Sequence, residues 1–269
     1  MKSTTIFIFS AFALLASCDG KHDNRNKDNW VDKVVSKDNG PLKQKEITGD
    51  FDEIEVSQAI KAEVIKSNVE KVVILAPENI IDEVLVDNSG GNLHIHYKQG
   101  IRVMNNHNVS AKIYTRDFTK LEANSAASIT VKHKFIQDKT KVEASSAASI
   151  SGDLEANKMD INVGSSSSFN GKIWAVDLDI EASSAASITV TGKAKNVDIS
   201  ASSGSSISAD EFVADYLKAE ASSGSSVDVA ATTTINAEAS SGGSVNVKKK
   251  GNVTSVSKEE SSGGSVNIE

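Results

Sequence analysis

The stretch "IEASSAASITV", residues 180–190, recurs with small changes along the second half of the chain. Near-copies begin at Leu121, Val142, Ile199, Ala219 and Ala237. Self-similarity at a regular spacing is the signature of a repeat architecture, in which each unit packs on its neighbours. The stretch therefore indicates one unit of a stack rather than a flexible linker rich in Ser and Ala.

The spacing between the copies is close to constant. One branched or aromatic residue follows each Ser-rich phrase, and the successive intervals are 21, 19, 19, 19, 20, 18 and 21 residues. These residues are Ile129, Ile150, Phe169, Ile188, Ile207, Val227, Val245 and Val266. A unit of this size holds two or three short strands and their turns, but not a strand, a helix and two loops.

Within each unit the apolar residues keep one parity, as in Val176, Leu178, Ile180, Ala182, Ala186, Ile188 and Val190. A period of two is that of a β-strand whose alternate side chains face a core. The same parity predicts that Ala182, Ser184 and Ala186, and their counterparts in other units, point inward. Inward serines need hydrogen-bond partners, either a backbone carbonyl or the serine of the neighbouring turn.

These units predict an all-β fold: a single-stranded parallel β-helix, or solenoid, with about 18–21 residues per turn. Residues 121–269 supply eight Ser/Ala/Gly-rich repeats, stacked about 4.8 Å apart. Residues 47–120 alternate less regularly, and we interpret them as irregular first turns of the same column. The predicted solenoid therefore spans residues 47–269.

Composition excludes one class of partner. The chain has 269 residues, of which 39% are hydrophobic and 24% charged, as in globular proteins. Its net charge of -7 argues against nucleic acid, because phosphates require clustered Lys and Arg. The only such cluster in the sequence is Lys248, Lys249 and Lys250.

The amino terminus has the plan of an export signal, with Lys2 followed by an apolar stretch from Ile6 to Leu15. Residues 15–18, "LASC", resemble the lipobox of bacterial lipoproteins, which implies cleavage after residue 17 and acylation of Cys18. The alternative is an ordinary secretory signal with a chance cysteine. Acyl chains on Cys18 would anchor the protein to a membrane, since each buried methylene contributes about 0.8 kcal/mol.

Residues 18–46 are polar and charged for most of their length, and we interpret them as a tether between the anchored cysteine and the folded part. The aspartates in "DGKHD", residues 19–23, resemble the surface-export signals of Bacteroidetes lipoproteins. The expected location is the cell envelope, at the outer membrane and with exposure at the cell surface.

Glutamates occupy equivalent outward positions in most repeats: Glu122, Glu143, Glu181, Glu220, Glu238 and Glu259, with Asn162 and Ser200 interrupting the series. We interpret this ladder as a solvated face that resists aggregation. The alternative is bridging of neighbouring carboxylates by a divalent cation, for which Glu220, Glu238 and Glu259 are the candidates.

No catalytic residue, cofactor or binding residue is assigned by the sequence. His94 and His96 share one strand parity, but two ligands without a third are weak evidence for a metal, and an exposed strand face is favoured. His107 is interpreted as a loop residue. In a chain this rich in Ser, an accidental Ser/His pair says nothing about catalysis.

The stretch "FDEIEVSQAIKAEVIKS" from Phe51, the later "VVILAPENIIDEVLVDNSGGNLHIHYK", and the phrases of the type "EASSGSSVDV" resemble the family described as "putative auto-transporter adhesin, head GIN domain". The resemblance runs from about Phe51 to the carboxyl end. It implies an exported, often lipid-anchored parallel β-helix, found mostly in Bacteroidetes, and it implies no reaction.

Three hypotheses of function follow. The first is a cell-envelope lipoprotein whose non-catalytic β-helical head binds a glycan, another envelope protein or a host component. The second is a structural spacer without a specific ligand. The third is an enzyme acting on envelope polysaccharide, with its residues in the irregular amino-terminal half.

Overall fold

The structure is a computed structural model that describes residues 33–35, 40–103 and 108–269. It confirms the all-β parallel solenoid, with about eight turns. The amino-terminal half contains β1 Lys33–Val35, β2 Leu42–Thr48, β3 Glu53–Val56, β4 Lys61–Lys66, β5 Lys71–Pro77, β6 Val84–Ser89, β7 Asn92–Tyr97, β8 Ile101–Val103 and β9 Ser110–Thr115, with a 3-10 turn at Ile81–Glu83. Within the described ranges, no helix is long and apolar enough to cross a membrane.

The remaining strands follow the repeats. They are β10 Lys120–Ala123, β11 Ser128–Val131, β12 Phe135–Ala144, β13 Ser149–Ser151, β14 Leu154–Val163, β15 Ser168–Ala182, β16 Ser187–Ala201, β17 Ser206–Ala221, β18 Ser226–Ala239, β19 Ser244–Lys249, β20 Ser255–Glu260 and β21 Ser265–Ile268. Each pairs in parallel with its counterpart one turn away, as Phe169 of β15 does with Ile188 of β16. The predicted column from Ile129 to Val266 is in register throughout and buried at every position.

The amino-terminal half does not stack in the order of the sequence. β3 and β4 lie against β10 and β11, with Ile54 in register with Leu121. The next layer outward is β7 and β9, in which Leu93 is in register with Ile54. Along the sequence, the strands of the inner layer, β3 and β4, therefore precede those of the outer layer, β7 and β9.

Antiparallel strands finish this end of the column. β6 pairs with β7, β5 pairs with β9, and β2 pairs with β5, all antiparallel. They cover strand edges that would otherwise present unpaired backbone groups. Because β2 begins at Leu42, regular structure starts before residue 47, where the sequence placed the end of the tether. β1 and β8 form a separate two-stranded parallel sheet.

Each Ser-rich phrase forms a tight corner between two strands. In residues 180–190, the Ala186 N–H donates to the Ser183 carbonyl at 3.1 Å, and the residues between them, Ser184 and Ala185, have φ of 53° and 61°. A four-residue turn whose two central residues both have positive φ is of type I′. Positive φ recurs at residues 58–59, 125–126, 146–147, 165–166, 203–204, 223–224, 241–242 and 262–263.

The corner corrects one prediction from the parity. Ala182 and Ala186 are buried as expected, but Ser184 is exposed. The prediction is wrong because two successive left-handed residues carry the chain around the corner and interrupt the alternation of a strand. The phrase therefore encodes a turn at its centre and core positions only on either side.

Inward serines occur at the position after the turn, and their partners are those predicted. Ser205 Oγ donates to the Ala182 carbonyl at 2.9 Å, and Ser225 Oγ donates to the Ala201 carbonyl at 2.8 Å. Each hydroxyl also accepts a backbone N–H of its own corner. A buried serine therefore links one turn to the preceding turn, and its polar atom is satisfied.

Charged residues mark the last turn. Lys258 and Glu260 of β20 are in register with Ala237 and Ala239, which are buried in the preceding turn. Every residue of β20 is exposed, and the Lys258 ammonium lies 3.0 Å from the Glu260 carboxylate. Charge at this edge opposes the pairing of further strands.

The left-handed corner predicts opposite effects for two Ala→Gly substitutions. Ala185→Gly removes a steric cost of about 1–2 kcal/mol and adds about 0.5–1 kcal/mol of backbone entropy, so we expect stabilisation by a few tenths to about 1 kcal/mol. The matched control Ala182→Gly lies in a strand and is expected to destabilise. Urea unfolding measures both, and equal losses of stability would contradict the assigned turn.

Candidate functional site

One face of the solenoid carries three ladders of outward side chains. The glutamate ladder contains Glu55, Glu122, Glu143, Asn162, Glu181, Ser200, Glu220, Glu238 and Glu259. The aspartate ladder contains Lys120, Lys141, Asp160, Asp179, Asp198 and Lys218, and the tyrosine ladder contains Lys139, Lys158, Asp177, Asn196, Tyr216 and Thr234. The glutamates predicted to be equivalent therefore do stack in register.

Lysines neutralise one end of this face. The Lys120 ammonium lies 2.6 Å from Glu122 and 2.7 Å from Glu143, and Lys141 lies 2.6 Å from Glu143. Burial disfavours the charge on Lys120, but its two hydrogen bonds outweigh burial and raise the pKa of the ammonium. Burial also disfavours the charge on Glu143, and its bonds to both lysines outweigh that and lower the pKa of the carboxyl.

The middle of the aspartate ladder is a region of repulsion. Asp179 lies between Asp160 and Asp198, one turn away on either side. Burial, followed by repulsion from Asp198, Glu181 and Asp160, raises the pKa of the Asp179 carboxyl, and the attraction of Lys158 is smaller. Ionisation of Asp179 is therefore less favourable in the folded protein than in the unfolded chain.

The candidate cation ladder, Glu220, Glu238 and Glu259, is in register over three turns. The Lys218 ammonium already lies 2.7 Å from Glu220. Among the residues that the structure describes, no group of three or more His, Cys, Asp or Glu is placed to hold a metal ion. Bridging of this ladder by a divalent cation stays a prediction.

His94 and His96 are half-buried on one side of β7, rather than fully exposed, and their rings stack with centroids 4.2 Å apart. His96 Nδ1 lies 2.8 Å from the Tyr97 carbonyl, and its Nε2 lies 2.9 Å from Asp87 Oδ2. Each ring nitrogen of His96 therefore already contacts an oxygen atom, and a metal ion at either nitrogen would have to displace that contact.

His94 belongs to a hydrogen-bonded cluster with Ser57 and Glu55. Its Nε2 lies 3.0 Å from Ser57 Oγ and 3.4 Å from Glu55 Oε1. A Ser-His-acid triad needs the serine and the acid on opposite ring nitrogens, whereas both approach the same nitrogen here. Burial lowers the pKa of His94 despite the attraction of Glu55, and Ser57 itself is buried. This arrangement is that of a structural cluster.

Sequence reasoning did not single out Trp174, whose side chain is 44% exposed on the outer surface. The parity of Val176, Leu178 and Ile180 would place Trp174 inward. It lies outward, between the buried Ile173 and Ala175, because the alternation shifts between Ala175 and Leu178. Two grooves, of about 630 and 640 Å³, share Trp174 and Glu155 in their walls. A third, of about 440 Å³, is lined by residues of the aspartate and tyrosine ladders.

The predicted signal peptide, Cys18, most of the predicted tether and His107 lie outside the described residues.

The family described as "putative auto-transporter adhesin, head GIN domain" matches residues 50–251. The chain belongs to this family. The match covers β3 to β9 and most of the repeats, which are the segments on which the sequence resemblance rested. A search of curated proteins found no match.

Several solved structures are similar to this chain in fold. The chain is similar to a putative adhesin from Parabacteroides merdae, with a TM-score of 0.76, 21% identity, and coverage of 85% of this chain and 98% of the other. It is also similar to a putative adhesin from Parabacteroides distasonis, with a TM-score of 0.77, 21% identity, and coverage of 88% of this chain and 100% of the other. A protein of the same organism is described as a putative lipid binding protein. Its TM-score is 0.75 and its identity 18%, with coverage of 88% of this chain and 100% of the other. At such identities the likeness concerns the fold alone.

The repulsion at Asp179 predicts a pH-dependent gain from Asp179→Asn. Because the folded-state pKa of Asp179 is raised, the folded protein loses stability as pH rises from the ordinary value of 3.8 through the raised pKa. At pH 7 the variant should be more stable by about 0.2–1 kcal/mol, and the gain should shrink near pH 3.5.

Urea unfolding at the two pH values measures the difference. Glu211→Gln, an equal change of charge at an exposed residue outside the three ladders, is the control and should show no such gain. A gain of equal size at both pH values would contradict the assigned repulsion.

Proposed function

We propose that this protein is an outer-membrane lipoprotein, exposed at the cell surface, whose solenoid is a non-catalytic adhesion module. Membership of an adhesin family supports a binding role and an envelope-associated location. The export signal and the motif ending in Cys18 support the lipid anchor. The polar segment after Cys18 separates the solenoid from the lipid.

The observation that carries the binding role is the exposure of large apolar side chains on a rigid outer surface. Trp174 is 44% exposed and Ile136 is 66% exposed, although the core is filled by other residues. Both line the same groove. Exposed apolar side chains next to polar ones are typical of binding surfaces. A spacer without a ligand gives no reason to place an indole there.

The described ionisable clusters do not favour an enzyme. The Ser57, His94 and Glu55 cluster lies in the amino-terminal half, where the sequence placed a candidate enzyme site. Its serine is buried and its acid does not orient the histidine through the second ring nitrogen. The ladders are ion pairs and stacked carboxylates on an open face, not a convergent acid and base.

The anchor is tested by expressing the full chain in a Bacteroidetes host with a clickable fatty acid. We expect the wild-type protein to be labelled, to fractionate with the outer membrane, and to be cleaved by protease added to intact cells. Cys18→Ser should abolish labelling, whereas Ser17→Ala, which keeps a small residue before the cysteine, should not. Labelling of the Cys18→Ser protein would contradict the assigned anchor.

Adhesion is tested with the same cells on surfaces coated with host mucin or with purified envelope polysaccharide. Cells that display the wild-type chain should adhere more than cells without it, and Trp174→Ala should reduce the difference. Loss of adhesion with Tyr216→Ala instead would move the site to the tyrosine ladder. No adhesion by any strain would favour the spacer, and polysaccharide cleavage that is lost in Glu55→Gln would favour the enzyme.

A further inference from the structure

Trp174 lies in a column of outward residues that differs from the three ladders. In successive turns this column contains Ile136, Glu155, Trp174, Lys193 and Val213. Adjacent members are separated by the inter-strand distance of about 4.8 Å. An exposed indole therefore has a carboxylate on one side and an ammonium on the other, all on rigid strands.

The two grooves that meet at Trp174 have different walls. The first combines the apolar Ile136 with an excess of carboxylates, from Asp52, Asp117, Asp138 and Glu155 against the single Lys139. The second is lined mainly by charged side chains: Lys134, Lys172, Lys193, Asp153 and Glu155. Both volumes, about 630 and 640 Å³, are those of small-ligand sites, which span roughly 300–1,000 Å³.

The charge of the second groove is opposite in sign to that of the protein. Three lysines face two carboxylates there, whereas the whole chain carries -7. Lys134 is already bound to Glu155. In the part of the chain that the structure describes, neither Lys172 nor Lys193 has a carboxylate within ion-pair distance. The Lys193 ammonium instead lies 5.7 Å from the centroid of the Trp174 ring.

We propose that Trp174, Lys172 and Lys193 form a subsite for an acidic sugar, a pyranose bearing a carboxylate or sulfate group. This inference rests on the proposed adhesive function and names its ligand class. The indole face is electron-rich and receives the C–H groups of a pyranose ring. The ammonium groups of Lys172 and Lys193 bind the acidic group through charge-assisted hydrogen bonds. The carboxylates of the first groove repel an acidic group, so the acidic group lies on the lysine side of Trp174.

Other partners fit these residues less well. A peptide strand cannot add here, because β15 is paired on both sides, with β14 and with β16. Nucleic acid would need many more phosphate contacts than two free lysines provide. A neutral sugar would use the indole but would make no charge-assisted hydrogen bond with Lys172 or Lys193.

The test is binding of the purified full-length protein, held in detergent micelles, to an array of saccharides that carries uronate, sulfated and sialylated residues beside neutral ones. Acidic saccharides should bind, and their affinity should fall as salt is raised. For a bound uronate oligomer, the neutral methyl ester should bind about tenfold more weakly.

Variants separate stacking from charge. Trp174→Ala should weaken binding of acid and ester alike by about tenfold or more, whereas Trp174→Tyr should retain most of it. The double substitution Lys172→Gln with Lys193→Gln should remove the preference for the acid but leave ester binding unchanged. Tyr216→Ala, at an equally exposed aromatic on another groove, is the control and should have no effect. Circular dichroism and melting temperature establish that each variant is folded.

Three outcomes would overturn the inference: binding of neutral saccharides only, binding that survives Trp174→Ala, or no binding on the array. If cells that display the protein still adhere in the last case, the ligand class is wrong and the adhesive function stands. If neither the array nor the cells show binding, the adhesive function fails as well.

Discussion

The structure depends on backbone hydrogen bonds that hold each turn in register with the turn before it. At the corners these bonds join the Ser183 N–H to the Val163 carbonyl at 3.0 Å and the Ser202 N–H to the Ala182 carbonyl at 2.9 Å. A slip by one residue would move every inward aliphatic side chain to the outside, so the register is strongly specified. The type I′ corner fixes it once per turn, because its two left-handed residues interrupt the strand at the same place in every copy.

The register explains which parts of the fold the sequence could predict. Period and parity were sufficient for the column through Ile188, because parallel stacking of equal units brings equivalent residues together. They failed at Ser184, where left-handed geometry replaces strand geometry; the signal was available in the Ser-Gly pairs of other copies, such as Ser203 and Gly204, which are typical of turns. They also missed the order of the first layers, since pairing of Ile54 with Leu121 across the intervening strands leaves no periodic trace in the sequence.

The site was predictable in outline but not in its contacts. The alignment of the repeats located the glutamate ladder, yet it did not show that Lys120 lies between Glu122 and Glu143 and converts repulsion into ion pairs. The inward parity that includes Val176 and Leu178 would bury Trp174, and only the structure shows that the alternation shifts after Ala175 and leaves Trp174 outward. The grooves beside it could not be predicted, because their walls depend on side chains from several turns, and parity gives only the inward or outward direction of each side chain.

Repetition and recognition have different requirements in such a column. The glutamate ladder carries the same residue in most turns, and an identical surface every 4.8 Å or so offers a ligand no preferred position along the axis. The column through Trp174 carries a different residue in each turn from Ile136 to Val213, so that only one register places an apolar ring against an indole and an anion against the lysines. Stability therefore comes from what the turns share, and the position of a bound ligand along the axis can be specified only by the turns that depart from the repeat.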